Sequence, residues 1–134
     1  MRVFLDSSVL LAACASSRGA SRELFRQARA RRVTLVTSPW CLAEVARNLP
    51  ALGRGAGAAW RRLQGGLRVA PTRIVVDRPL VFGAHKDRPV LVSALSAGCD
   101  CLLTLDRADF RNRLGPAFYG VAILTPGEWL ARTA

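Results

Sequence analysis

The chain has 134 residues, 51% of them hydrophobic, and a net charge of +11 from 20 basic and 9 acidic side chains. That size fits one domain over 1–134 with a single sizeable core. No apolar run approaches the roughly 18 residues of a membrane span, and the first residues lack the basic segment, apolar stretch and cleavage site of a signal peptide.

In chain order, residues 2–5 (RVFL) read as a short buried strand and 7–15 (SSVLLAACA) as a helix. SRGAS breaks the pattern. SRELFRQARARR then reads as an amphipathic helix with Leu24, Phe25 and Ala28 on one side. VTLVT at 33–37 is a β-branched strand. Ser38 as N-cap and Pro39 at the first helical position open a helix that Pro50 stops. Glycines 53, 55 and 57 mark a mobile connection over 51–58, and a helix follows over about 56–67. RIVV at 73–76 is a strand and DRPLVFGAHKD a loop. RPVLVSALSAG is a helix that Gly98 ends. CLLTL at 101–105 is a strand, DRADFRNRLGPAF a loop with a helical turn, VAILT a last strand and PGEWLART a closing helix. Strands alternating with helices imply a parallel sheet covered on both faces.

The four cysteines contain no C-x-x-C. Cys14 and Cys41 lie in apolar helical patterns, where a reduced cysteine packs as a small hydrophobe. Cys99 and Cys101 form C-x-C at a strand start, and His85 is the single histidine, so a thiolate metal site lacks ligands and packing is expected. Trp40 and Trp129 read as core or edge packing, and Trp60 as core or dimer interface rather than a base-stacking residue. Of the 20 bases, 19 are arginine, which favours an anionic partner, nucleic acid first, although a GC-rich genome produces the same bias. The protein is expected in the cytoplasm.

The acids are placed less evenly than the bases. In a parallel α/β sheet, ligands bind beyond the carboxyl ends of the strands. Asp6 follows the first strand, and Asp106 follows CLLTL. Asp87 opens the helix before that strand, Glu44 lies in the helix after the second strand, and Asp109 is three residues past Asp106. Five of the nine acids thus fall towards one end of the sheet, which leaves four among 20 basic residues elsewhere.

Each acid also has an ordinary reading. Asp6, Asp87 and Asp106 are placed to cap helices or turns, and Glu44 to pair with Arg47 one turn on. Glu44 fits this worst, because Leu42, Ala43, Val45 and Ala46 surround it. The unifying alternative is one acidic pocket. Packed carboxylates repel unless a cation neutralises them, and Mg²⁺ or Mn²⁺ suits oxygen ligands and bridges to phosphate. A basic rim around such a pocket would hold a polyanion over it.

The stretches VFLDSSVLL, TSPWCLAEVARNL, HKDRPVLVSALSAGCDCLLTLDRADF and VAILTPGEWL together resemble the PIN domain, a family of metal-dependent ribonucleases that includes the VapC-type toxins of toxin–antitoxin pairs. The resemblance implies a three-layer α/β/α sandwich around a parallel sheet, Mg²⁺ or Mn²⁺ as cofactor, RNA as substrate, a homodimer and a cognate antitoxin. It also implies that Asp6, Glu44, Asp87 and Asp106 hold the metal and orient the attacking water, with Ser8 and Thr104 in support. Asp109 competes with Asp106 as the fourth acid, and Asp106 is preferred. Arg54, Arg61, Arg62, Arg68 and Lys86 are the expected phosphate contacts, against a solvated helix face, and His85 is a weaker candidate. Two other readings compete: a catalytically inactive RNA-binding module of the same fold, and a receiver-like Mg²⁺ domain. The second needs a late-strand lysine, and Lys86, the single lysine, lies in the wrong place.

Overall fold

A computed structural model describes residues 1–70, 88–106, 110 and 117–133. The predicted strand at 73–76, together with Asp87, Asp109, His85 and Lys86, lies outside the described residues.

Strand β1 (Arg2–Leu5) is the centre of the sheet. Its side chains alternate between the two faces, yet Val3, Phe4 and Leu5 are all fully buried, so both faces of the sheet are covered at this strand. Helix α1 (Ser7–Ala15) follows at once and buries Val9, Leu10, Ala13 and Cys14. Helix α2 (Ala20–Arg31) buries Leu24 and Ala28 and ends at Arg32 in the left-handed conformation. Strand β2 (Thr34–Thr37) feeds α3 (Pro39–Asn48), where the Ser38 hydroxyl accepts from the Cys41 amide and Pro39 takes the first helical position. This is the start the sequence predicts.

Pro50 does not end the helical path outright. The chain passes directly from α3 into a 3₁₀ turn over Leu49–Leu52, where proline occupies an early position and its missing N–H costs nothing. Gly53 and Gly55 both have positive φ, which explains glycine at those positions. Helix α4 (Ala56–Gln64) is shorter than predicted. After Gly65 and Gly66, residues Leu67–Val69 form β3, a strand the sequence reading missed, in parallel register with β2.

Helix α5 (Arg88–Ser96) is followed by Gly98 at positive φ and then β4 (Cys101–Leu103). Strands β5 (Ala117–Phe118) and β6 (Val121–Leu124) form a hairpin, and α6 (Pro126–Thr133) closes the chain. The turn residues Tyr119 and Gly120 both have positive φ, the type I′ pattern that suits a two-residue hairpin. At the start of α6, Thr125 and Glu128 bond reciprocally to each other's amides as a capping box.

The sheet order is β3-β2-β1-β4-β6-β5, with β5 alone antiparallel. The fold is therefore α/β with a five-stranded parallel sheet, as expected, plus a short antiparallel edge. The chain runs β1, β2, β3 towards one edge and then crosses to β4 on the other side of β1. The reversal point lies between β1 and β4, and sheets of this kind bind ligands at its carboxyl end. Among the described residues no helix is long and apolar enough to cross a membrane.

Candidate active site

Asp6 leaves the carboxyl end of β1 at this reversal point. Its amide donates to the Leu103 carbonyl of β4 at 3.0 Å, and its carbonyl accepts from Val9 and Leu10, so its backbone is fixed by both the sheet and α1. The side chain is only 6% exposed. Oδ1 accepts from the Ser7 amide at 2.8 Å. Oδ2 accepts from Ser8 Oγ at 3.1 Å and Thr104 Oγ1 at 2.9 Å.

A hydroxyl has one proton to give. Ser8 and Thr104 each give theirs to Oδ2 and are left as acceptors. Ser8 Oγ accepts the Leu105 amide at 3.1 Å, and Thr104 Oγ1 accepts the Asp106 amide at 3.0 Å. The Asp6 charge thus sets the direction of two hydroxyl dipoles, and those hydroxyls anchor the chain leaving β4. β4 stops at Leu103 rather than at the predicted 105: Thr104 still donates its amide to the Leu124 carbonyl of β6, but Leu105 and Asp106 give theirs to side chains.

Burial is the largest influence on the Asp6 carboxyl and pushes its pKa above the ordinary value. Hydrogen bonds from Thr104, Ser8 and the Ser7 amide pull it back, and the Glu44 carboxylate adds repulsion. Glu44, half-buried on α3, accepts from Ser7 Oγ at 3.2 Å, so one serine contacts both acids, through its amide and through its hydroxyl. The expected Glu44–Arg47 ion pair is not formed; among the described residues the salt bridge is Arg26 with Glu23. Ser7 was not singled out from sequence, although it stands between Asp6 and Ser8.

Beneath this pair lies Cys41, fully buried. Burial first, and the nearby Asp6 charge in addition, push its thiol up to about 11, and it serves as packing. Asp106 is exposed, held near Asp6 through its amide rather than its carboxylate. Among the described residues no three acids, cysteines or histidines stand close enough to share a metal ion. The pair that is assembled, Asp6 with Glu44, offers oxygen donors only. A buried carboxylate beside a second carboxylate fits a hard divalent cation, whose charge would relieve both the burial and the repulsion.

The expected phosphate contacts are dispersed. Arg54 is exposed in the turn before α4, Arg61 and Arg62 in the last turn of α4, and Arg68 on β3. Arg62 lines a groove of about 530 Å³ with Phe25, Val33, Leu63 and the α2 arginines 22, 26 and 29. Val33 and Gly66 of that groove directly precede β2 and β3, so it lies at the amino end of the sheet, opposite Asp6. Trp60 and Trp129 are buried in the core, but Trp40 is 48% exposed, which corrects its reading as packing.

A model of the PIN domain matches residues 2–108. The chain belongs to the PIN-domain family. Members of this family are in general nucleases. A comparison with curated proteins found no match. Among solved structures, the PIN fold here is similar to a chain of VapBC2 from Rickettsia felis bound to a DNA fragment from their promoter. The TM-score is 0.62 at 12% identity, covering 92% of this chain and 97% of that one. At that identity the likeness speaks for the PIN fold and not for a shared activity.

Proposed function

We propose that this PIN domain is a metal-dependent endoribonuclease and the toxin of a toxin–antitoxin pair. The observation that carries the reading is Asp6: a buried, hydroxyl-braced carboxylate beside Glu44, at the carboxyl end of β1. Family membership supports nuclease chemistry. A structural neighbour solved as VapBC2 on promoter DNA supports an antitoxin partner.

In this reading Asp6, Glu44, Asp87 and Asp106 hold Mg²⁺ or Mn²⁺, with Asp109 the alternative to Asp106. The bound cation supplies a polarised phosphodiester and a water of lowered pKa. Ser8 and Thr104 favour the ionised form of Asp6 against its burial and aim the carboxylate, because each donates to it and is itself locked by a backbone amide. Glu44, tied through Ser7, accepts the proton of the attacking water. Arg54, Arg61, Arg62, Arg68 and Lys86 contact phosphates along the RNA, and the working unit is a homodimer.

The test is cleavage of a total-RNA pool by purified protein with Mg²⁺ or Mn²⁺, with EDTA, and with Asp6→Asn. Cutting that needs the metal and disappears in the variant supports the proposal. RNA that is bound but never cut would replace it with an inactive RNA-binding module.

A further inference from the structure

Three adjacent strands end side by side in the order β2, β1, β4. Asp6 follows the middle one and is buried. The residues following its neighbours include two large apolar side chains left open to solvent: Trp40, 48% exposed, after β2, and Leu105, 51% exposed, after β4. Trp40 thus follows the strand on one side of Asp6, and Leu105 the strand on the other.

Both are tied to the acids by local structure. Trp40 lies one helical turn before Glu44 on α3, and residues four apart share a helix face. The residue after it, Cys41, is buried close enough to Asp6 to feel its charge. Leu105 donates its amide to the serine hydroxyl that holds Asp6. The chain therefore leaves a large indole open to solvent on the same helix that carries Glu44, just after Pro39. Other tryptophans in the chain are buried, Trp60 at 8% and Trp129 at 2% exposed.

We infer that Trp40 is a substrate-binding residue, a stacking platform for an unpaired base beside the scissile phosphate, with Leu105 as the opposing apolar wall. The inference rests on the nuclease reading, and the base it holds must be unpaired, since a base held in a duplex cannot reach an aromatic face. Stacking is tolerant of base identity, so the platform fixes strandedness and the position of the cut more than its sequence.

The experiment titrates the protein into a dye-labelled mixed-sequence single-stranded oligoribonucleotide, and into its duplex, reading binding from the dye's anisotropy, and follows the indole emission of the chains that keep Trp40. It is run on Asp6→Asn and on the wild-type chain in EDTA, alongside Trp40→Ala and Trp40→Phe. The single strand quenches the exposed indole and the duplex does not. Trp40→Ala weakens binding about tenfold or more, the scale of one base–aromatic stack, and raises KM in the metal-loaded enzyme, while Trp40→Phe restores most of both. Cleavage with unchanged KM in Trp40→Ala overturns the platform and leaves the nuclease standing. Single-strand quenching of Trp40 in a protein that cuts nothing retires the nuclease and keeps the platform. An indole already shielded from acrylamide in the free protein, because a second copy covers it, overturns the inference.

Discussion

Thr104 does two jobs with one oxygen. It donates to Asp6 Oδ2 and accepts from the Asp106 amide, and its side chain is fully buried. Thr104→Val keeps the shape and removes both bonds, which leaves a buried charge short of a donor and a backbone N–H short of an acceptor. The expected cost is about 1–3 kcal/mol of stability, read from urea denaturation, with a larger loss in cleavage rate than Thr104→Ser, which keeps the hydroxyl and stays close to wild type. A loss in Thr104→Ser with none in Thr104→Val would mean that the methyl group, not the hydroxyl, matters. Asp6 was legible in the sequence as a carboxylate stranded between two apolar runs. Its bracing was legible only through the family pattern, because nothing in a linear string brings Thr104 to Ser8 across 96 positions. Trp40 was misread as packing. Its sequence context is apolar, and only the register of α3, with Cys41 and Val45 pointing inward, turns it outward.

At the scale of elements, the strongest sequence signals were those with a local physical cause. Ser38–Pro39 opens α3 and Gly98 ends the turn after α5, each as the residue chemistry demands. Because α3 carries Glu44, its cap also positions the site. Ser38→Ala removes the acceptor of the Cys41 amide and is expected to cost about 1 kcal/mol, visible as a lower thermal midpoint, while Ser38→Asp preserves most of it. No change in Ser38→Ala would show that Pro39 and packing alone define the helix start. The elements that escaped the sequence reading are made by their neighbours. Strand β3 is three residues long, too short for periodicity to register, and exists by pairing with β2. The β5–β6 hairpin turns on Tyr119–Gly120, which lacks the Asn-Gly signature of a type I′ turn.

On the scale of the whole molecule, the charge divides in two. Arginines are spread over the surface of α2, α4 and β3, while the described acids that approach each other, Asp6 and Glu44, do so at one end of the sheet. The core beneath holds four cysteines, all buried and none in a disulfide. Burial pushes the Cys99 thiol up to about 11 and the Cys101 thiol to about 12, from an ordinary value of 9.0. These pKa values are raised in the folded state, so the stability they contribute is fully present below pH 9 and is lost as pH climbs through 11 to 12. The unfolding midpoint in urea should therefore fall between pH 8 and pH 10.5, less steeply in a Cys99→Ala/Cys101→Ala variant, and a thiol reagent at pH 8 should label neither cysteine until the chain unfolds. Rapid labelling of the native protein would contradict the burial of this strand.

The proposed nuclease stands or falls with a divalent cation held by the buried Asp6 carboxylate and Glu44 beside it. Thermal unfolding with and without Mn²⁺, in the wild-type chain and in Asp6→Asn, tests it most directly, since an ion that binds only the folded state raises its midpoint. The expected result is a rise with Mn²⁺ in the wild type that is absent from the variant. An equal rise in both, or none in the wild type, would contradict it.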